Sequence, residues 1–133
     1  ATDGMPLVRN RIVLAAGDYH MLITGNELAP KVKLTQDPPE NFCRPAVDPM
    51  LRSLIPIYGS RILTVILTGM GADGHKGSHD IVEAGGEILA QDPESSVVWG
   101  MPGAVARAGL CTAVEPLESI AGITASRILE ALP

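Results

Sequence analysis

Residues 62–74, Ile-Leu-Thr-Val-Ile-Leu-Thr-Gly-Met-Gly-Ala-Asp-Gly, constrain the fold of this chain more than any other stretch. From Ile62 to Leu67 the residues are branched and almost all apolar, with no polar alternation. Such a run suits a strand covered on both faces, as in the middle of a parallel sheet. Gly69, Gly71 and Gly74 then allow the backbone to turn sharply and to approach whatever lies beyond the strand end. His75 to Ala84 has helical character, and Gly85-Gly86 stops it. Strand, glycine loop and helix form half of a βαβ unit. In open α/β sheets the loops at the carboxyl ends of the strands hold the chemistry, and Asp73 sits in such a loop.

A carboxylate placed there has several uses. It can orient and charge-stabilise a histidine, as the acid of a Ser-His-Asp triad does. It can bind a metal or ribose hydroxyls. It can also simply cap the helix that starts near Gly74, because Asp is among the preferred N-cap residues. The glycines do not decide between these. Their spacing is not the dinucleotide fingerprint, and no Lys-Ser/Thr follows as in a phosphate-binding loop.

The rest of the chain reads as further pieces of an α/β domain. Arg11 to Ala16 reads as a short buried strand. Tyr19 to Thr24 and Leu28 to Thr35 read as a hairpin across a Gly25-Asn26 turn, the second strand half-solvated by its alternation. Prolines 38, 39, 45 and 49 make 36–49 a loop. Asp48 is placed to cap a helix with Pro49 at its first position, running to about Tyr58 unless Pro56 ends or bends it early. Glu87 to Ala90 is another strand, with the polar loop Gln91–Ser96 on the same side of the sheet as Asp73 if the strands are parallel. A helix from Gly100-Met101-Pro102 to Ala108, a strand Leu110–Val114 and an amphipathic helix from Glu115 or Pro116 to Leu132 complete the pattern.

Composition agrees. A chain of 133 residues supports one domain with a real core, and 46% hydrophobic content excludes overall disorder. Aromatics are only 3%, so Ala, Val, Ile and Leu must build that core. The formal charge of −5 comes without a basic cluster, which argues against nucleic acid and anionic membranes as partners. No apolar run reaches the roughly 18 residues of a bilayer span. Cys43 and Cys111 form no metal motif and read as free thiols in a reducing cytosol, with a single disulfide as the alternative.

Other candidate groups carry less. None of Ser53, Ser60, Ser78, Ser95, Ser96, Ser119 or Ser126 stands in a Gly-x-Ser-x-Gly elbow. His75 and His79 stand at i and i+4, a zinc-compatible spacing, but Lys76 replaces the Glu of a His-Glu-x-x-His motif, and a solvated helix face is the default. His20 reads as structural. Met70 reads as a gap-filling methionine among glycines.

Four blocks nevertheless resemble one family. Leu67-Thr68-Gly69-Met70-Gly71-Ala72-Asp73-Gly74 looks like the signature of the chemotaxis protein-glutamate methylesterases, the CheB family. Residues 90–102, Ala-Gln-Asp-Pro-Glu-Ser-Ser-Val-Val-Trp-Gly-Met-Pro, resemble the next block. Upstream, Ala15 to Met21 resembles Ala-Pro-Gly-Asp-x-His-Met, with Ala16 where proline is usual, and Arg44-Pro45-Ala46-Val47-Asp48 resembles Arg-Pro-Ser-Val-Asp. The resemblance implies a mostly parallel Rossmann-like sheet with helices on both faces and an antiparallel hairpin near 19–35. It implies hydrolysis of glutamate methyl esters, and deamidation of glutamines, on chemoreceptor cytoplasmic helices through a serine acyl-enzyme, with no cofactor or metal. Asp73 then matches the triad acid, and Met70 matches a methionine that helps form the oxyanion hole. His20 matches a position other than the catalytic base.

The family's serine and histidine lie in segments upstream of these four blocks. The chain is therefore expected to be the carboxyl-terminal part of such a cytoplasmic catalytic domain, inactive alone. A phosphorylatable receiver domain in the full protein is a further implied partner. A non-catalytic module that binds receptors or another partner is the alternative, and a nucleotide-binding α/β domain is a third reading.

Overall fold

The computed structural model describes residues 1–132. Strands β1 (His20–Thr24) and β2 (Lys31–Thr35) form an antiparallel hairpin in which Thr24 pairs with Lys31. Helix α1 (Val47–Tyr58) follows. Strand β3 (Leu63–Ile66), helix α2 (His75–Glu83), strand β4 (Glu87–Gln91), helix α3 (Met101–Arg107), strand β5 (Ala113–Glu115) and helix α4 (Leu117–Glu130) complete the order. The sheet is parallel, β3-β4-β5, with Ile66 opposite Ala90 and Ala90 opposite Val114. This is the α/β architecture with a hairpin that the pattern implies.

The core explains the helices. Ile88 and Ala90 on one face of β4, with Ile66 of β3, pack against Leu51 of α1, Ile81 of α2 and Val105 of α3. Leu89 points to the other face and is also buried, where α4 runs along β4. A smaller cluster of Met21, Ile23 and Val32 clamps the hairpin onto α1 through Met50, Leu54 and Ile57.

Four local expectations need correction. Residues 11–16 form no strand: Val13 and Ala15 pack on the small cluster, but the Ala1 ammonium bonding Leu14 O is no ladder, and Ile12 and Leu14 are exposed. The hairpin loop is residues 25–30, not Gly25-Asn26 alone, because Asn26 Oδ1 accepts the Leu28 and Ala29 N–H groups and prolongs the turn. Asp48 does not cap α1. The helix starts two residues earlier, at Val47, with Ala46 as an N-cap lacking a side-chain bond. Pro56 does not end α1. It lies in the last turn, where one lost backbone bond is offset by the packing of Leu54, Ile55 and Tyr58 on the core. Cys43 and Cys111 are free thiols, and burial pushes the Cys111 thiol up from its ordinary value. Among the described residues no helix is long and apolar enough to cross a membrane.

Candidate active site

The carboxyl ends of β3 and β4 open into two loops that are zipped together. Gly69 N–H donates to Val98 O at 3.0 Å, and Gly69 O accepts from Gly100 N–H at 3.1 Å and Met101 N–H at 2.9 Å. The Thr68 hydroxyl bonds both Val98 O and Val98 N–H at 2.9 Å. The approach is so close that a β-carbon at Gly100 would stand 2.8 Å from Gly69 O. Gln91, 1% exposed, locks the pair from below. Its Oε1 accepts Thr68 N–H at 2.8 Å, its Nε2 donates to Ser95 O at 2.8 Å, and its backbone oxygen accepts Trp99 Nε1–H at 2.8 Å. Asp92 then binds the Ser95 hydroxyl and N–H, and these bonds hold its carboxyl below the usual range.

Asp73 lies at the turn of the first loop and is 6% exposed. It does not cap α2, whose N-cap is Gly74 without a side-chain bond. Its carboxylate instead meets the start of α1. Oδ2 accepts Val47 N–H at 2.7 Å, and Oδ1 accepts Asp48 N–H at 3.2 Å and the Asn41 amide at 2.9 Å. The pocket is polar and carries the positive end of a helix, which suits a buried anion. Asp48, 1% exposed, faces the other way: Oδ1 accepts Gly77 N–H at 2.7 Å and Oδ2 accepts the same Asn41 amide at 2.8 Å.

Met70 stands three residues before Asp73 with its side chain 83% exposed. It is therefore not a gap-filling core residue. Its N–H donates to no acceptor among the described residues. Gly71, at φ 91°, turns the chain immediately after it. Met70 and Asp73 thus belong to one loop at the sheet's edge, with a free backbone donor and a pinned carboxylate.

The remaining candidates fall elsewhere. His20 is buried in the hairpin; its Nδ1 accepts Ala46 N–H at 3.2 Å, so Nε2 carries the proton and donates to Pro38 O at 3.0 Å. Both ring nitrogens are occupied, in keeping with a structural role. His79 is exposed on α2, 3.9 Å from Asp80 and from Glu83, and His75 makes no such group with it. Ser95 and Ser96 are turn residues bonded to Asp92. Among the described residues no hydrogen bond joins a serine to a histidine. Sequence reasoning missed Asn41, placed Gln91 in the polar loop 91–96 when it is the last residue of β4, and gave Asp48 the wrong helix. An Asn between prolines signals a turn, but nothing local reveals that its amide bridges two distant acids.

A parallel sheet with a buried acid and interlocked loops at its carboxyl edge places the chain among open α/β domains, the class in which ligands bind outside the carboxyl ends of the strands. Comparison with known proteins narrows this class. A family model described as CheB methylesterase matches residues 1–123, and the chain belongs to that family. It is similar to the "Protein-glutamate methylesterase/protein-glutamine glutaminase" of Azospirillum brasilense, 60% identical over 121 residues that cover 90% of this chain and 31% of the relative. A protein of Rhodospirillum centenum (strain ATCC 51521 / SW), with the same name and the words "of group 2 operon", is 58% identical over 120 residues, 90% of this chain and 30% of the relative. The crystal structure of the Thermotoga maritima CheB methylesterase catalytic domain superposes with a TM-score of 0.87 at 37% identity, over 90% of this chain and 64% of that one. The chain thus spans about a third of the length of these curated relatives.

Proposed function

We propose that this chain supplies the acid and part of the oxyanion hole of a serine esterase centre that hydrolyses glutamate methyl esters, and deamidates glutamines, on the cytoplasmic helices of chemoreceptors. The names of the relatives supply the substrate class. The observation that carries the assignment is the Asp73 carboxylate, buried, fixed by three donors and set at a strand's carboxyl end. In the reaction a serine oxygen adds to the ester carbonyl while its proton passes to a histidine. The bond to the methoxy group breaks, the histidine returns the proton to give methanol, and water then cleaves the glutamyl-serine ester. Asp73 keeps that histidine in the correct tautomer and stabilises its cation. The Met70 N–H meets the carbonyl oxygen as it gains charge. Among the described residues no serine is hydrogen-bonded to a histidine, and this reading assigns the nucleophile and the histidine to polypeptide other than these 133 residues.

The test is a chimera in which this chain replaces the matching part of the Azospirillum brasilense relative. Methanol release from methylated receptor is expected from the chimera. Asp73→Asn should reduce kcat by about 10⁴-fold, the size seen when a triad acid can no longer hold its histidine. A folded chimera that binds receptor but releases no methanol would favour a non-catalytic module instead.

A further inference from the structure

We propose that Asn41 is a positioning residue for this reaction: its amide, presented from a strained turn, decides which oxygen of Asp73 stays open to a base. The inference rests on Asp73 acting as the triad acid. Asn41 Nδ2 lies 2.9 Å from Asp73 Oδ1 and 2.8 Å from Asp48 Oδ2. Both acceptors are carboxylate oxygens, so the amide nitrogen must face them, and both of its hydrogens are used. Asp73 Oδ1 also accepts Asp48 N–H, which fills its second lone pair. Oδ2 accepts only Val47 N–H and keeps one lone pair. An imidazole N–H approaching Asp73 is thereby steered to Oδ2.

The turn that carries Asn41 is built for this placement. Glu40 and Cys43 close it with reciprocal backbone bonds of 3.1 and 2.9 Å, and Arg52 of α1 grips the Glu40 carboxylate at 2.7 and 2.9 Å. Asn41 and Phe42 both have left-handed backbones, at φ 52° and 63°. Asn tolerates that region, whereas a bulky residue such as Phe is strained in it. Packing does not explain the strain, because the Phe42 ring is fully exposed. Strain of this kind persists where the surroundings over-determine it, and it clusters at functional sites. The surroundings of this turn are the two acids on one side and the Arg52 clamp on the other. Charge adds a second consequence. Asp48 and Asp73 are both buried, and the amide is their shared donor; without it they meet as like charges across one site.

The chimera serves for the test, with methanol release and thermal midpoint both measured. Asn41→Gly deletes the amide but keeps a residue at home at positive φ. The expected result, read well below each variant's thermal midpoint, is an unchanged KM, a midpoint lowered by the loss of the donor that the two buried acids share, and a kcat lower by about 10- to 100-fold, the effect of one hydrogen bond to a charged group. Adding Asp48→Asn should recover part of that kcat by removing one of the two facing charges. Should the turn need a side chain to fold, Asn41→Asp keeps a turn-tolerant residue, turns the donor into a third acceptor and should abolish turnover. A purely structural role predicts additive losses that follow stability, and that outcome overturns the proposal, as does an unchanged kcat in Asn41→Gly. Asp73→Asn is the control. If it is inactive while Asn41→Gly is fully active, only the positioning role falls; if it is fully active, the role of Asp73 falls and the positioning role falls with it.

Discussion

Asp48 and Asp73 serve each other's helices. Asp48, in the first turn of α1, accepts Gly77 N–H in the first turn of α2, and Asp73, in the loop leading into α2, accepts the Val47 and Asp48 N–H groups that open α1. Neither helix has a side-chain cap from its own N-cap residue. Each end's orphan donors are met from across the interface, so the start of α1 cannot move without moving the candidate acid. Asp48→Ala leaves the buried Gly77 N–H without an acceptor and should cost about 1–3 kcal/mol, read as a lower denaturation midpoint. Asp48→Asn keeps an oxygen for Gly77 but sets an amide against the Asn41 amide. It should fall between the parent and Asp48→Ala.

The same interface limits side-chain size. A β-carbon at Gly77 would stand 2.9 Å from Leu51 Cβ and 3.0 Å from Asp48 Oδ1. Ala normally improves a helix, yet Gly77→Ala should destabilise by roughly 1–3 kcal/mol because α1 and α2 must part. A variant as stable as the parent would mean that the two helices slide without cost.

How much of this the sequence disclosed varies with the distance over which the deciding contact acts. The run from Ile62 announces its strand because its residues are branched and almost all apolar, but not the strand's place. Among the described residues β3 lies at one end of the three-stranded sheet, with Thr64 and Ile66 buried and Leu63 and Val65 only half-buried, so it is not the fully covered middle strand that the run suggests. The Gly69–Gly74 loop is legible for a similar reason: its three glycines fall within six residues and their conformational role is local. Asp48 points to the wrong helix because Asp before Pro is a common local signal for a helix start. Asp73, twenty-five residues on, already meets that need. Arg11–Ala16 has a strand's residues but lacks a neighbour to pair with. Asn41 and Gln91 are invisible as site residues, since their importance rests on partners 32 and 23 positions away.

Gln91 offers a test of how the two loops are held together. Gln91→Leu has similar bulk but leaves Thr68 N–H and Ser95 O without their partner. A loss of about 1–3 kcal/mol is expected. Amide exchange should quicken at Thr68 and along 95–99 before it does in β4. Uniform acceleration across the sheet would instead mark Gln91 as a core residue only.

Asp92 gives a pH dependence of known sign. The Ser95 hydroxyl and N–H hold its carboxyl below the ordinary value. Its contribution to stability is therefore complete above the unfolded value, near 4, and is lost as pH falls through the lower native value. Asp92 is only half-buried, at the foot of a surface loop, so the effect on the whole fold is small. It should be read at the residue: the Asp92 carboxyl carbon, followed by NMR, should titrate lower than that of a free Asp, and Ser95→Ala should move it back up. An Asp92 titration that stays where it was in Ser95→Ala would show that the serine is not the cause.

Met70 separates a backbone role from a side-chain role. If its N–H is the oxyanion donor, the thioether has little to do, since 83% of the residue faces solvent. Met70→Ala in the chimera should then keep most of kcat. Its loss should fall far short of the roughly 10²–10³-fold that removal of an oxyanion donor costs. An ester in which the methyl ester carbonyl oxygen is replaced by sulfur, a weaker acceptor, should react more slowly in parent and Met70→Ala alike. A collapse of kcat in Met70→Ala, with the fold intact, would place the side chain itself against the substrate. The 133-residue chain on its own should release no methanol from methylated receptor with either residue at position 70, because the donor and the acid have no nucleophile to assist.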